Sequence, residues 1–140
     1  MSNQINQNSL NKQKTSSKTI GNKAELIAQH YLTKKKYYII KSNYFKNHGE
    51  IDIIAKKNHY LIFIEVKSRF INNPNLDLGA KSLTEPPQNS ISTKKINKLK
   101  RTAEIFLSQT KNFDKNCRFD VLSITFNLKS AKIKHIKNAF

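Results

Sequence analysis

The sequence predicts an α/β domain with one mixed sheet, in the order helix, three strands, helix, two strands. Three observations carry that prediction. Ala24, Ile27, Ala28, Tyr31 and Leu32 fall at i, i+3, i+4, i+7 and i+8, the spacing of one apolar helix face. Gly49-Glu50-Ile51-Asp52-Ile53-Ile54-Ala55 and Leu61-Ile62-Phe63-Ile64-Glu65-Val66-Lys67 are rich in Ile, Val and Phe and flank Lys56-Lys57-Asn58-His59, as two paired strands flank a polar turn. Ile96, Leu99, Ala103 and Phe106 then repeat the helical spacing behind Ser92 and Thr93, either of which can cap a helix by accepting from its free amides.

In chain order, residues 1–20 are polar, acid-free and rich in Asn, Gln, Ser and Lys. They bring too little apolar surface to offset the entropy of ordering and read as a disordered basic tail. The segment lacks the apolar stretch of a secretory signal and the arginines and periodic apolar face of a transit peptide. The first helix begins near Asn22, and His30 lies off its apolar stripe. Glu25 sits at the edge of that stripe, either reaching the end of a sheet or merely favouring the helix dipole. Tyr37 to Tyr44 make the next strand, with Phe45 to His48 as the loop into the Gly49 hairpin. From Phe70 to Ile91 periodicity gives way to Asn73-Pro74, Gly79 and Pro86-Pro87, which reads as a mobile loop. The second helix runs to about Gln109. Arg118 to Phe126 alternates as a strand, and Ala131 to Ile136 makes another behind the turn Asn127 to Ser130. Residues 21–140 are thus expected to form one domain.

The acids are unusually placed. The chain has 9 Asp and Glu against 26 Lys and Arg, yet Glu50, Asp52 and Glu65 fall inside two neighbouring apolar strands. Strict alternation puts Glu50 and Asp52 on one face of the first strand, and Glu65 and Lys67 on one face of the second. Converging carboxylates repel and are costly to bury. A divalent cation would remove that cost, and Mg²⁺ or Mn²⁺ suits oxygen ligands. The alternative is an ordinary solvated strand face with an exposed Glu65–Lys67 pair. The four histidines, at 30, 48, 59 and 135, show no zinc spacing.

The net charge of +17 and pI near 10.1 favour a polyanionic partner such as nucleic acid, although Lys, Asn and Ile abundance also reflects AT-rich coding. Lys94, Lys98 and Arg101 form a cationic row on the second helix, away from its apolar face. Lys95 lies at the margin of that face. Cys117 has no cysteine partner in the chain, which fits a reducing cytoplasm. No apolar run approaches the length of a membrane span.

Several pieces together carry a resemblance. They are Gly21-Asn22-Lys23-Ala24-Glu25 with Ala28 and Tyr31-Leu32, Asn43, Gly49-Glu50-Ile51-Asp52, Phe63-Ile64-Glu65-Val66-Lys67 with Arg69, Lys95, and Arg118-Phe119-Asp120-Val121. In this order they resemble the PD-(D/E)XK nuclease superfamily, its archaeal-type Holliday junction resolvases, and most closely the YraN-like family of bacterial proteins. The resemblance spans about residues 21 to 126 and implies a restriction-endonuclease-like three-layer sandwich. It further implies a Mg²⁺- or Mn²⁺-dependent endonuclease acting on DNA, with branched or repair intermediates as candidate substrates and a homodimer by analogy. Asp52, Glu65 and the Val66 carbonyl would then hold metal and Lys67 would position water. Glu25 would serve a second metal or its water shell, Glu50 would be a ligand or an outer partner, and Lys95 would be an auxiliary site residue. Lys94, Lys98, Arg101 and Arg69 are the nucleic-acid-binding candidates. Asp120 reads instead as a structural partner of Arg118 or Arg69. A nucleic-acid-binding or repair-accessory protein that keeps the fold without turnover is the other reading.

Overall fold

A computed structural model describes residues 17–78, 91–112 and 116–140. The elements follow the expected order: α1 (Ser17–Lys34), β1 (Tyr38–Lys46), β2 (Gly49–Lys57), β3 (Tyr60–Phe70), α2 (Thr93–Thr110), β4 (Asn116–Phe126) and β5 (Ala131–Ile136). One five-stranded sheet runs β1-β2-β3-β4-β5. Its first three strands form an antiparallel meander, β4 pairs parallel to β3, and β5 returns antiparallel. The single parallel pair requires a crossover, which α2 supplies.

The two helices cover opposite faces and bury separate cores. Ala24, Ala28 and Leu32 of α1 pack with Ile53, Ala55, Ile62, Ile64, Leu122 and Ile124. Leu99, Ala103 and Phe106 of α2 pack with Tyr44, Ile51, Ile54, Leu61 and Phe63. Because β2 and β3 feed both cores, they read as nearly continuous apolar runs. This is the three-layer α/β arrangement expected of a restriction-endonuclease-like fold.

Several boundaries differ from the sequence reading, each for a local reason. Helix α1 starts at Ser17 rather than near Asn22, because Ile20 extends the apolar stripe and packs against the α1 core. The last residues of the expected tail are therefore helical, while residues 1–16 lie outside the described residues. Strand β1 continues through Phe45 to Lys46, and only Asn47 and His48 make the turn. Both have positive φ, 47° and 64°, as a two-residue hairpin requires. Residues 79–90 of the expected mobile loop lie outside the described residues. The stretch before them is tied down: Ile71 N donates to Phe126 O at 2.9 Å, Asn127 Nδ2 donates to Asn73 O at 3.1 Å, and Leu78 is buried. Helix α2 starts as expected, with Ser92 Oγ accepting from Lys95 N at 3.2 Å.

Gly49 has a packing reason to lack a side chain. A Cβ there would overlap Thr102 Oγ1 and come within 3.4 Å of the Lys98 carbonyl. Thr102 cannot easily yield, being buried and donating its hydroxyl to Lys98 O at 2.9 Å. The missing side chain lets the start of β2 lie directly on α2.

Candidate active site

The ladder between β2 and β3 stops at Ile53 and Ile64, and Asp52 and Glu65 are the next residues on each strand. There the strands part, and Asp52 Oδ2 accepts a hydrogen bond from Val66 N at 2.7 Å. A side-chain carboxylate replaces the main-chain acceptor that a continuing ladder would offer. On the other side of β2 the pairs Ser42–Ile53 and Tyr44–Ile51 bracket Asn43, whose φ is 52°. This left-handed residue, a conformation Asn tolerates better than most, reverses the pleat in mid-strand. Tyr44 and Ile51 pack under α2, whereas Ile53, two residues further on, packs under α1.

That reversal corrects one expectation. Strict alternation placed Glu50 beside Asp52 and set Ile51 and Ile53 together on the other face. In the structure Ile51 and Ile53 lie in opposite cores, and Glu50 is exposed. Asp52 is drawn to the open end of the β2–β3 pair and Glu50 is left in solvent, outside the cluster.

The remaining candidates converge. Glu65 is 4% exposed and its Oε1 lies 3.2 Å from Lys67 Nζ on the same strand face and 3.4 Å from Lys95 Nζ on α2. Its Oε2 is buried without a hydrogen-bond partner. Burial, then repulsion from Glu65 and more weakly from Glu25, pushes the Asp52 carboxyl up to about 7, against the opposing pull of the Val66 amide and Lys95. Asp52, Glu65, Lys67 and Lys95, drawn from three elements, meet at one end of the sheet, with Glu25 of α1, half-buried, near enough to act on Asp52 electrostatically.

Among the described residues no three His, Cys, Asp or Glu side chains form a complete metal cage. The donors that are present still fit a hard cation. Two carboxylates lie side by side, one holding a proton more tightly than a free aspartate, and a buried acceptor oxygen has no donor. Mg²⁺, which keeps several of its waters, is typically held by one or two protein carboxylates.

Lys94, Lys98, Arg101 and Arg69 are all exposed. Lys98 and Arg101 line a cleft of about 280 Å³ with Lys46, Asn47, Gly49, Thr102 and Ile105. Lys46 escaped the sequence reading because Phe45 to His48 looked like a plain loop. A larger cleft of about 390 Å³ is lined by Lys56, Asn58, His59, Tyr60, Asn112 and Asn116, at the turn end of β2 and β3 and remote from the acids.

Asp120 is a structural acid, as expected. It is fully buried and receives Arg118 Nε at 2.7 Å, Arg118 Nη2 at 3.0 Å and Asn138 N at 3.0 Å, with His135 Nε2 at 2.7 Å. Burial alone would raise its carboxyl, but the bonds from His135, Arg118 and Asn138 outweigh it and hold the group below its usual range. No described helix is long and apolar enough to cross a membrane.

Comparison with known proteins shows which family the chain belongs to. A profile described as "Uncharacterised protein family UPF0102" matches residues 24–124, the span from the middle of α1 into β4. A UPF0102 protein of Clostridium beijerinckii is 39% identical over 125 residues, covering 88% of this chain and 94% of its own. UPF0102 proteins of Geobacter metallireducens and Dictyoglomus turgidum are 34% and 36% identical, each over 88% of this chain and over 93% and 98% of their own lengths. With more than two thirds of its length matched at this identity, the chain belongs to the UPF0102 family, the YraN-like family its motifs resemble.

Proposed function

We propose that this protein is a metal-dependent endonuclease that hydrolyses phosphodiester bonds in DNA, with branched repair or recombination intermediates as its substrates. The observation that carries the reading is the unpartnered, buried Glu65 Oε2 beside a carboxyl raised to about 7 at Asp52. Such an arrangement costs the fold free energy and is offset when a cation sits against it. Asp52, Glu65 and the Val66 carbonyl are the groups that would hold Mg²⁺ or Mn²⁺. Such an ion, when bound, supplies a water of lowered pKa and positive charge opposite the phosphate oxygens.

The chain's own groups do the rest. Lys67 and Lys95 grip Glu65 Oε1 from two elements, which fixes the carboxylate plane and leaves Oε2 for coordination. Lys67 is 27% exposed, so its ammonium can hold an attacking water against the phosphate. The Val66 amide locks the Asp52 carboxylate at the parting of β2 and β3. Glu25 offers a further acceptor to ordered water. The net charge of +17 draws the polyanion in.

The test is an incubation of pure protein with linear, flapped, Holliday-junction and single-stranded DNA in Mg²⁺, Mn²⁺ or chelator. Cleavage that needs metal and favours a branched substrate is the expected result. Binding without cleavage in either metal would replace this reading with that of a repair-accessory protein on a nuclease fold.

A further inference from the structure

We propose that the cleft between the β1–β2 turn and α2 is a phosphate seat that holds the substrate strand a short distance from the acidic centre. This rests on the nucleic-acid reading above and extends it to residues outside the acidic cluster. Three cations, Lys46 from the hairpin and Lys98 and Arg101 from α2, line the same cleft of about 280 Å³. None of the three is engaged in an ion pair with a described carboxylate within 4 Å. The walls are fixed rather than adaptable. Gly49 presses the hairpin onto α2 where no side chain would fit, and Asn47 and His48 hold a tight turn at positive φ.

The seat and the acidic centre share α2. Lys95, which grips Glu65, precedes Lys98 by three residues and Thr102 by seven. At about 1.5 Å of rise per residue, the cleft lies roughly 5–10 Å along α2 from Lys95. A nucleic-acid strand rises about 3.4 Å per nucleotide, so a phosphate in the cleft would be about two or three nucleotides from the one at the acids. An Asn side chain and a tight turn beside three cations suit a tetrahedral oxyanion and read no base.

The experiment measures binding of a 20-base-pair duplex at several salt concentrations by wild type, Lys46→Ala, Lys98→Ala and Lys100→Ala. Lys100 is exposed on α2 but lines no part of the cleft. Each cleft variant should flatten the slope of log affinity against log salt by about 0.9, and so lose about threefold less affinity than wild type between 50 and 200 mM. Lys100→Ala should match wild type. Equal effects at Lys46 and Lys100, or none at Lys46, would overturn the seat in favour of diffuse attraction. Inorganic phosphate added at constant ionic strength should not compete at millimolar levels. Competition lost in Lys46→Ala would make the cleft a free-anion site and overturn the strand seat. Cleavage should be unchanged in Lys100→Ala, which lies outside the cleft. If wild type cuts nothing while the slope still responds to Lys46, the nuclease reading fails and the seat stands.

Discussion

Asp52→Asn should silence cleavage and, in the absence of metal, make the protein more stable at pH 8. The activity loss follows from removing one of two carboxylates that would hold the ion. Metal stabilisation of transition-state charge is worth several kcal/mol, so a drop of about 10³-fold is expected. The stability gain follows from burial and from Glu65, which raise the Asp52 carboxyl to about 7. A carboxyl raised in the folded state contributes stability below its unfolded value near 4, and that contribution is lost as pH rises through about 7. Above that the ionised group costs about 2–4 kcal/mol. The isosteric amide carries no such charge and can still accept from the Val66 amide. Thermal melts of metal-free wild type and Asp52→Asn should therefore diverge by several degrees at pH 8 and converge near pH 4, and Mn²⁺ should raise only the wild-type melting point. Equal melting points at pH 8, or cleavage by the variant at the wild-type rate, would remove Asp52 from the role given to it.

The same substitution at Asp120 should have the opposite sign. Asp120→Asn leaves Arg118 and His135 facing a neutral group, one half of which donates rather than accepts. Breaking a buried, hydrogen-bonded pair from one side costs about 3–5 kcal/mol, enough to unfold a marginal domain. Here the carboxyl is held below its usual value. Its contribution is therefore present at neutral pH and lost only as pH falls below about 4 towards the lowered folded value. Urea melts at pH 7 should show the loss in full, with the gap between variant and wild type narrowing under acid conditions. A cost below 1 kcal/mol would mean that Arg118 and His135 are satisfied elsewhere. The aspartates at 52 and 120 thus make a paired test: one is strained by its neighbours and the other is sustained by them.

Much of this was legible in the chain. Apolar spacing located both helices, and β-branched runs located the strands, because those patterns follow directly from helical and pleated geometry. Glu65, Lys67 and Lys95 were found because Glu65 and Lys67 lie on a regular stretch of β3 and Lys95 on a regular stretch of α2. Glu50 was misplaced because alternation was carried through Asn43 and Asp52, where a left-handed residue reverses the pleat. The signal was present as an Asn inside a strand pattern, but its effect depends on the pairing partner, which no local window contains. Gly49 and Lys46 were opaque for a related reason. What each meets is α2, some fifty residues away in sequence.

That separation has a kinetic side. The meander β1–β2–β3 closes through two-residue turns and by itself carries Asp52, Glu65 and Lys67. Lys95 reaches Glu65 only when α2 docks on the meander, and the parallel pairing of β4 with β3 joins Tyr60 to Asn116. Closing a loop of about 56 residues costs roughly 3.6 kcal/mol of chain entropy before any contact repays it. In pulsed hydrogen exchange the Ile53 and Ile64 amides should therefore gain protection ahead of Leu122. The nascent chain holds its two acids together before the crossover lysine arrives, so on the metal-dependent function proposed above a divalent cation would act as a folding ligand in that interval, and the order in which the strands assemble would set when the ion is first held.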